Sequence, residues 1–145
     1  MIRKATYLDI PPLLMLLSDM HQESPLDLGE IDWTKTVQHV ITSIEQGACF
    51  VAEDDNEVIG SVGGYFGCEW FSNRNTLGDL WFYVRPERRS TSAGHDLITA
   101  FKQLSNETNV PVKMGHVFGD DLDRKDKFYK RHGFKRIGAS YVKGF

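Results

Sequence analysis

Residues 48–66 read "ACFVAE", "DDNE", "VIGSVGGYF": two apolar runs held apart by a short stretch of turn formers. That pattern specifies strand, tight turn, strand. A hairpin in mid-chain limits everything around it, because each face of the sheet needs an apolar layer to cover it. The pair Gly63-Gly64 inside the second run marks a bulge or a close backbone approach. After the loop "GCEWFSNRN" comes "LGDLWFYV", a third long strand. Its alternation predicts Leu80, Phe82 and Val84 on one face and Asp79, Trp81 and Tyr83 on the other.

Helical periodicities lie on both sides of these strands. "IRKA" opens the chain as a short strand, and Thr6 with Asp9 reads as a capping box. Pro11 and Pro12 suit a first helical turn, where missing amide donors matter least. Ile10, Leu13, Leu14, Leu17 and Met20 then keep one helical face to about His21. "ESPLDLGEID" is a loop, and Trp33, Val37, Val40, Ile41 and Ile44 form a second stripe that stops before Gly47. Downstream, Leu97, Ile98, Phe101 and Leu104 predict a third helix, "VPVKMGHVF" a strand, and "DRKDKFYKRH" a short basic helix ended by Gly133. "FKRIGASYVKGF" supplies a last strand or pair. The order is strand, two helices, three strands, helix, strand, helix, strand: an α/β chain.

The 145 residues suit one domain with one core, and no repeat or linker divides them. No apolar run approaches a membrane span, and the N-terminus has no secretory pattern. Cys49 and Cys68 are too few for a disulfide framework, so a reducing, cytoplasmic setting is expected, with both thiols as inert small hydrophobes. The net charge of −3 conceals an uneven distribution. From Arg124 to Phe145 eight Lys/Arg stand against Asp126 alone, and the preceding 123 residues carry nine basic and nineteen acidic side chains. Such asymmetry points to an anionic partner near the C-terminus and a cationic one elsewhere, the plain alternative being two solvated faces.

The junction "VRPERRSTSAGHDLI", residues 84–98, concentrates the chemistry. Pro86 stops the strand and a helix begins near Gly94, with Glu87 and otherwise only small and basic residues between. At a helix start up to four amides lack an intrahelical partner, and the macrodipole is positive there. Small side chains let a ligand approach those amides, and Arg88 and Arg89 add donors suited to phosphate oxygens. Together these predict an anion site, most naturally for a phosphate or pyrophosphate, the plain alternative being an ordinary loop. It lacks the Gly-Lys-Ser/Thr ending of a nucleotide P-loop and the glycine triplet of a dinucleotide fingerprint.

"FYVRPERRSTSAGHDLI" resembles the acetyl-CoA-binding segment of the GNAT (Gcn5-related) N-acetyltransferases, which reads strand, Val-x-Pro-Glu, Arg/Gln-x-x-Gly-x-Gly/Ala, helix. Arg89 falls on the Arg/Gln position and Gly94 on the final Gly/Ala, while Ser92 replaces the middle glycine and Ser90 stands where many members have Gly. "KFYKRHGFKRIG" resembles the family's "FYxxxGF" signature through Tyr129, Gly133 and Phe134, with Leu122 and Lys125 in place of the common Asn and Ala. The opening "MIRKAT…DIPPLLMLLSDMHQESP" is also GNAT-like, so the resemblance spans nearly the whole chain. The serine-bearing cradle and basic last helix look most like small bacteriophage-encoded members.

The resemblance implies a single GNAT-like α/β domain over residues 1–145. Its central sheet would be mixed and mostly antiparallel, flanked by helices. The strand ending at Val84 and the strand near Val112 to Val117 would splay apart at the acetyl-CoA cleft. Phe82, Tyr83 and Val84, with Arg88, Arg89, Ser90, Thr91, Ser92, Ala93, Gly94 and His95, would bind acetyl-CoA, the co-substrate. Tyr129 would protonate the departing CoA thiolate, and Asp79 would act as base through water; the plain alternatives are aromatic packing and a strand-edge carboxylate. His95, His116 and His132 share no metal-ligand spacing, and no metal is expected. Gly-x-Ser-x-Gly is absent, which argues against a hydrolase elbow. Trp70, Phe71, Trp81, Phe82 and Tyr83 line an acceptor pocket or belong to the core.

The acetyl acceptor would be a small-molecule or protein amine. Residues 21–57 hold nine carboxylates and only Lys35 as a base, so a cationic acceptor is expected. Two alternatives stand beside the enzyme: a GNAT-like protein that binds acyl-CoA without catalysis, and a nucleic-acid-binding module using "RKDKFYKRHGFKR". Net negative charge and the lack of a nucleic-acid fold motif weigh against the second. No membrane partner is expected, and the oligomeric state stays open, a homodimer included.

Overall fold

A computed structural model describes residues 1–116 and 118–144. Strand β1 (Ile2–Lys4) leads through a short turn of 3-10 helix to helix α1 (Ile10–Glu23), followed by α2 (Trp33–Glu45). The central strands are β2 (Cys49–Asp54), β3 (Glu57–Gly67) and β4 (Thr76–Val84). Helix α3 (Ala93–Thr108), strand β5 (Val112–Lys113) and helix α4 (Leu122–Arg131) complete the order. The five strands form one sheet in sequence order, antiparallel from β1 to β4 and parallel between β4 and β5. No helix among the described residues is long and apolar enough to cross a membrane.

Local chemistry accounts for the element ends. The Asp9 carboxylate accepts from the Thr6 amide at 2.8 Å and also holds Arg3, which fixes the entry to α1. Asp32 caps α2 through the Lys35 amide, and Gly47 leaves that helix at φ +69°. The β2–β3 turn is made by Asp55 and Asn56, both at positive φ, which suits a two-residue hairpin. Helix α1 runs two residues beyond the expected His21, as far as the segment preceding Pro25, and this brings Glu23 to the cleft.

Alternation along the strands feeds two apolar layers. Phe50, Ala52, Val62 and Leu77 pack with Leu97, Phe101 and Leu104 of α3 on one face. Cys49, Val51, Trp81 and Tyr83 pack with Leu13, Leu16, Leu17 and Val40 of α1 and α2 on the other. Fully buried Leu, Ile and Phe side chains such as Leu97, Ile98 and Phe101 each contribute about 1.5–3 kcal/mol.

The Gly63-Gly64 pair is both a bulge and a close approach. The register shifts there: Trp81 opposes Gly63, Asp79 opposes Gly64, and Leu80 opposes nothing. A side chain on Gly63 would overlap the Trp81 indole, and one on Gly64 would overlap Phe101. The extra residue lies in β4, and it corrects the alternation read from sequence. Leu80 packs on the α1/α2 side with Trp81 and Tyr83, not with Phe82 and Val84. Asp79 and Trp81, opposite consecutive residues of β3, fall on opposite faces.

Two strand expectations are also corrected. Strand β5 ends at Lys113 instead of near Val117, because the Gly115 amide donates to the Asp79 carboxylate and not to a ladder carbonyl; Val117 itself lies outside the described residues. Residues 134–144 form no strand. The two-residue β5 ladder offers them little edge, and Ile137, Tyr141 and Val142 stay exposed, so no burial offsets the entropy of ordering a strand. The last residue of that expected strand, Phe145, is outside the described residues.

Candidate active site

β4 and β5 share two residue pairs, Leu77 with Val112 and Gly78 with Lys113, and then separate. Asp79 stands at the fork, its Oδ1 accepting from Gly115 at 3.0 Å. The splay expected at the cleft is present. A cavity of about 470 Å³ opens beyond it, lined by β4 from Asp79 to Val84, by the start of α3 and by α4. That size suits a small organic ligand.

The cradle is built from backbone. A turn at Pro86–Arg88 ends the strand, and α3 begins at Ala93. Thr91 hydroxyl donates to the Arg88 carbonyl at 2.5 Å and accepts from the Ala93 amide at 3.3 Å, and the Ser92 hydroxyl donates to Asp96 at 2.7 Å. The amides of Ser90, Ser92, Gly94 and His95 donate to no atom of the described residues. Ser92 has φ −77°, and neither Ser90 nor Thr91 takes a positive φ. The serines that replace family glycines therefore carry no backbone strain. At Gly94 an added Cβ would meet Phe82, Val84 and Phe128 only at 3.9–4.0 Å. Neither φ nor packing demands glycine there, so its smallness serves the cavity.

The two arginines behave differently. Arg88 pairs with Asp54 and turns away from the cavity. Arg89 donates from Nε to the Val84 carbonyl at 2.8 Å and from Nη2 to both Glu23 oxygens at 2.8 and 3.1 Å. Its guanidinium lies 5.3 Å from the centre of the Tyr83 ring, whose hydroxyl donates to Glu23 at 2.5 Å. Burial, then Glu23, raises the Tyr83 phenol above its ordinary range. Of the residues expected to bind the co-substrate, Phe82, Tyr83, Val84, Arg89, Thr91, Gly94 and His95 line the cavity. Arg88, Ser90, Ser92 and Ala93 do not.

Tyr129 and Asp79 meet in this same cavity. Gly133 at φ +88° reverses the chain after α4, and the Phe134 amide donates to the Tyr129 carbonyl at 3.1 Å. The Phe134 ring then packs edge-on against Tyr129, 5.8 Å between centres. This is the physical content of the "FYxxxGF" spacing. The Tyr129 hydroxyl makes no hydrogen bond to a described residue, and burial followed by the Asp79 charge holds it protonated well above the usual phenol range. Burial also pushes Asp79 up to about 6, against hydrogen bonds from Gly115 and its own amide.

His116, weighed in the sequence only as a metal ligand, lies parallel to Tyr129 at 5° and 5.8 Å. Among the described residues no group of three or more His, Cys, Asp or Glu is arranged to hold a metal ion. The acidic stretch 21–57 contributes only Glu23 to the cavity. Glu53 and Asp54 hold Arg3 and Arg88, Glu45 accepts from Tyr7, and Asp32 caps α2. Asp120 and Asp121, next to α4, supply acidic lining that periodicity did not disclose. Trp81, Phe82 and Tyr83 line the cavity, whereas Trp70 and Phe71 are exposed elsewhere.

Comparison with known proteins fits this geometry. No curated protein sequence matches the chain. Among solved structures, a protein described as a predicted acetyltransferase, with acetyl-CoA, from Clostridium acetobutylicum superposes with TM-score 0.75 at 16% identity, covering 99% of this chain and 95% of that one. The ribosomal-protein-alanine N-acetyltransferase of Brucella melitensis gives 0.70 at 18%, covering 100% and 99%. The aminoglycoside 6′-N-acetyltransferase of Acinetobacter haemolyticus gives 0.73 at 12%, covering 100% and 97%. The family model for the acetyltransferase (GNAT) domain matches residues 45–136, from the end of α2 through the splayed strands, the cradle and the Tyr129–Phe134 turn. With that match over more than half its length, the chain belongs to the GNAT acetyltransferase family.

Proposed function

We propose that residues 1–145 act as one acetyl-CoA-dependent N-acetyltransferase unit that moves the acetyl group to a primary amine by direct attack. The observation that carries this reading is a convergence within one cavity. The amides of Gly94 and His95 at a helix start and a protonated tyrosine, none with a hydrogen-bond acceptor among the described residues, flank the gap between two splayed strands. The amides between Ser90 and His95, with the α3 dipole behind them, would hold the pyrophosphate. Phe82 and Val84 would flank the pantetheine arm, and Arg89 braces the cradle by tying Val84 to Glu23.

Acetyl-CoA, when bound, supplies an activated thioester. Tyr129 donates its proton to the sulfur as the bond to carbon breaks. Asp79 is ionised for the most part at neutral pH and takes a proton from the nitrogen side through water. The aminoglycoside and ribosomal-protein-alanine enzymes among the structural neighbours act, by their names, on amine acceptors. A cationic acceptor here would be met by Glu23, Asp120 and Asp121.

The test is thiol release from acetyl-CoA across a panel of primary amines, with acceptor acetylation read by mass spectrometry. Release that depends on an amine supports the reading. Tight acetyl-CoA binding without release from any amine, while a peptide and a polyamine are both present in the panel, would replace it with a binding protein.

A further inference from the structure

A protonated amine that leaves as a neutral amide loses two protons from nitrogen, while the departing sulfur takes up one. The reading above, on which this inference rests, gives Tyr129 to the sulfur and Asp79 to one nitrogen proton. The other has no acceptor yet.

His116 follows Gly115, the residue whose amide Asp79 fixes at the strand fork. It lines the same cavity as Tyr129, with the two rings parallel at 5.8 Å. Its Nδ1 is buried and meets no hydrogen-bond partner among the described residues. A buried ring nitrogen left without a partner is costly, and few native groups remain so without a role. The charged groups around it are Lys125 and Asp126 of α4, Asp120 before that helix and Arg136 beyond it. Burial, then Lys125, holds the imidazole below its ordinary range, against Asp126 and Asp120. At neutral pH the ring is therefore uncharged and keeps one nitrogen free to accept.

We propose that His116 is a second proton acceptor of the site, its imidazole taking the first proton from the incoming ammonium group. The freed lone pair attacks the acetyl carbon, so that the nitrogen–carbon bond forms and the carbon–sulfur bond breaks. The Tyr129 proton goes to sulfur. The second nitrogen proton leaves through the Asp79 water and refills Tyr129, and His116 returns its own to solvent. One amide, one thiol and one released proton balance the step.

Two variants test this. His116→Phe keeps a ring stacked on Tyr129 without a nitrogen, and His116→Ala leaves space for added imidazole. Turnover would be followed from about pH 5.5 to 9 with acetyl-CoA and the best primary amine of the panel. Both variants should lose about ten-fold to a hundred-fold in kcat at pH 7, with the KM for acetyl-CoA within about two-fold. Their rate should climb with pH as the free-amine fraction grows, without the histidine limb of the wild type, and imidazole should restore part of the His116→Ala rate. Asp79→Asn should keep that limb. A His116→Phe protein with wild-type kcat and pH profile overturns the role of His116 alone. So does a loss of rate matched by equal losses of acetyl-CoA affinity and Tm, which marks packing. A wild type that binds acetyl-CoA and acetylates nothing overturns the enzyme reading first, and this inference with it.

Discussion

The two ends of the cavity are made of different material. At the cradle the groups proposed to bind are the backbone amides of Ser90, Ser92, Gly94 and His95, and side chains there mainly pin the turn. At the strand fork the groups proposed to act are side chains, Asp79, His116 and Tyr129, each shifted from its ordinary protonation range by burial. The first kind of site tolerates sequence change as long as φ and bulk allow it, which is why Ser90 and Ser92 stand where glycines are usual without strain. The second kind does not, because each proton donor or acceptor is a particular atom. Substitutions should therefore separate the ends: binding lost at one, rate at the other.

The largest separation is expected from Tyr129→Phe. The ring packing with Phe128, Phe134 and His116 survives, and only the hydroxyl goes. Turnover should fall about a hundred-fold or more while acetyl-CoA affinity stays within about two-fold. Isothermal titration and steady-state kinetics on one preparation decide it; parallel loss of Tm and rate would make Tyr129 a packing residue.

Asp79 sharpens the contrast through stability. Its folded-state affinity for a proton, about 6 against the usual 3.8, means that the ionised form is disfavoured by folding. Above pH 6 the native state carries that cost. As pH falls through 6 toward 4 the carboxyl protonates in the folded protein first and the cost disappears. Asp79→Asn keeps an oxygen for the Gly115 amide and removes the charge. It should raise stability by about 2–3 kcal/mol at pH 7. The gain should shrink to near zero by about pH 4, while turnover at pH 7 drops. Urea unfolding at both pH values reads the difference; a gain that is equal at pH 7 and 4 would remove burial of charge as its cause.

These contrasts follow how far the sequence could be read. Local patterns disclosed the β2–β3 hairpin, the stripe of α3 and the glycine pair, since each depends on neighbours within a few residues. The Leu80 bulge stayed hidden because period-two alternation has no mark for one extra residue, and it reversed the face assigned to Asp79. The end of β5 was misjudged because Asp79, 36 positions upstream, captures the Gly115 amide. Motifs located Tyr129, Arg89 and Gly94. The link from Arg89 to Glu23 spans 66 positions and has no local signature, and His116 looked like any lone histidine until the fold set it beside Tyr129.

At the cradle the expected effects are smaller and fall on binding. Arg89→Ala removes the brace between Val84 and Glu23 and should weaken acetyl-CoA binding by about 1–3 kcal/mol. Gly94→Val should do at least as much by crowding the approach to the amides. Gly94→Ala is the cleaner probe, because its Cβ fits the fold at 3.9 Å and alanine favours a helix. It should leave Tm unchanged or raised while lowering affinity. An alanine that leaves affinity untouched would move the pyrophosphate away from the start of α3.

The smallest effect concerns the acceptor, and it tests whether charge at the cavity mouth belongs to either end. The nine carboxylates of residues 21–57 were the ground for expecting a cationic acceptor, yet eight of them lie off the cavity and serve caps, turns and ion pairs or face solvent. What remains is Glu23, already held by Arg89 and Tyr83, together with Asp120 and Asp121, which lie near Lys125 and Arg124. Carboxylates paired in this way attract a cation weakly, and salt screens what attraction remains. For a cationic amine, kcat/KM should therefore fall only about two- to five-fold between 50 and 500 mM salt. Asp121→Asn, the more exposed of the two aspartates, should remove part of that slope, and the triple change Asp27→Asn, Glu30→Gln, Asp32→Asn should leave it intact apart from a weaker α2 cap. A slope that follows the triple change instead would return recognition to the α1–α2 loop, and a neutral amine that outperforms the cation would separate acceptor choice from charge altogether.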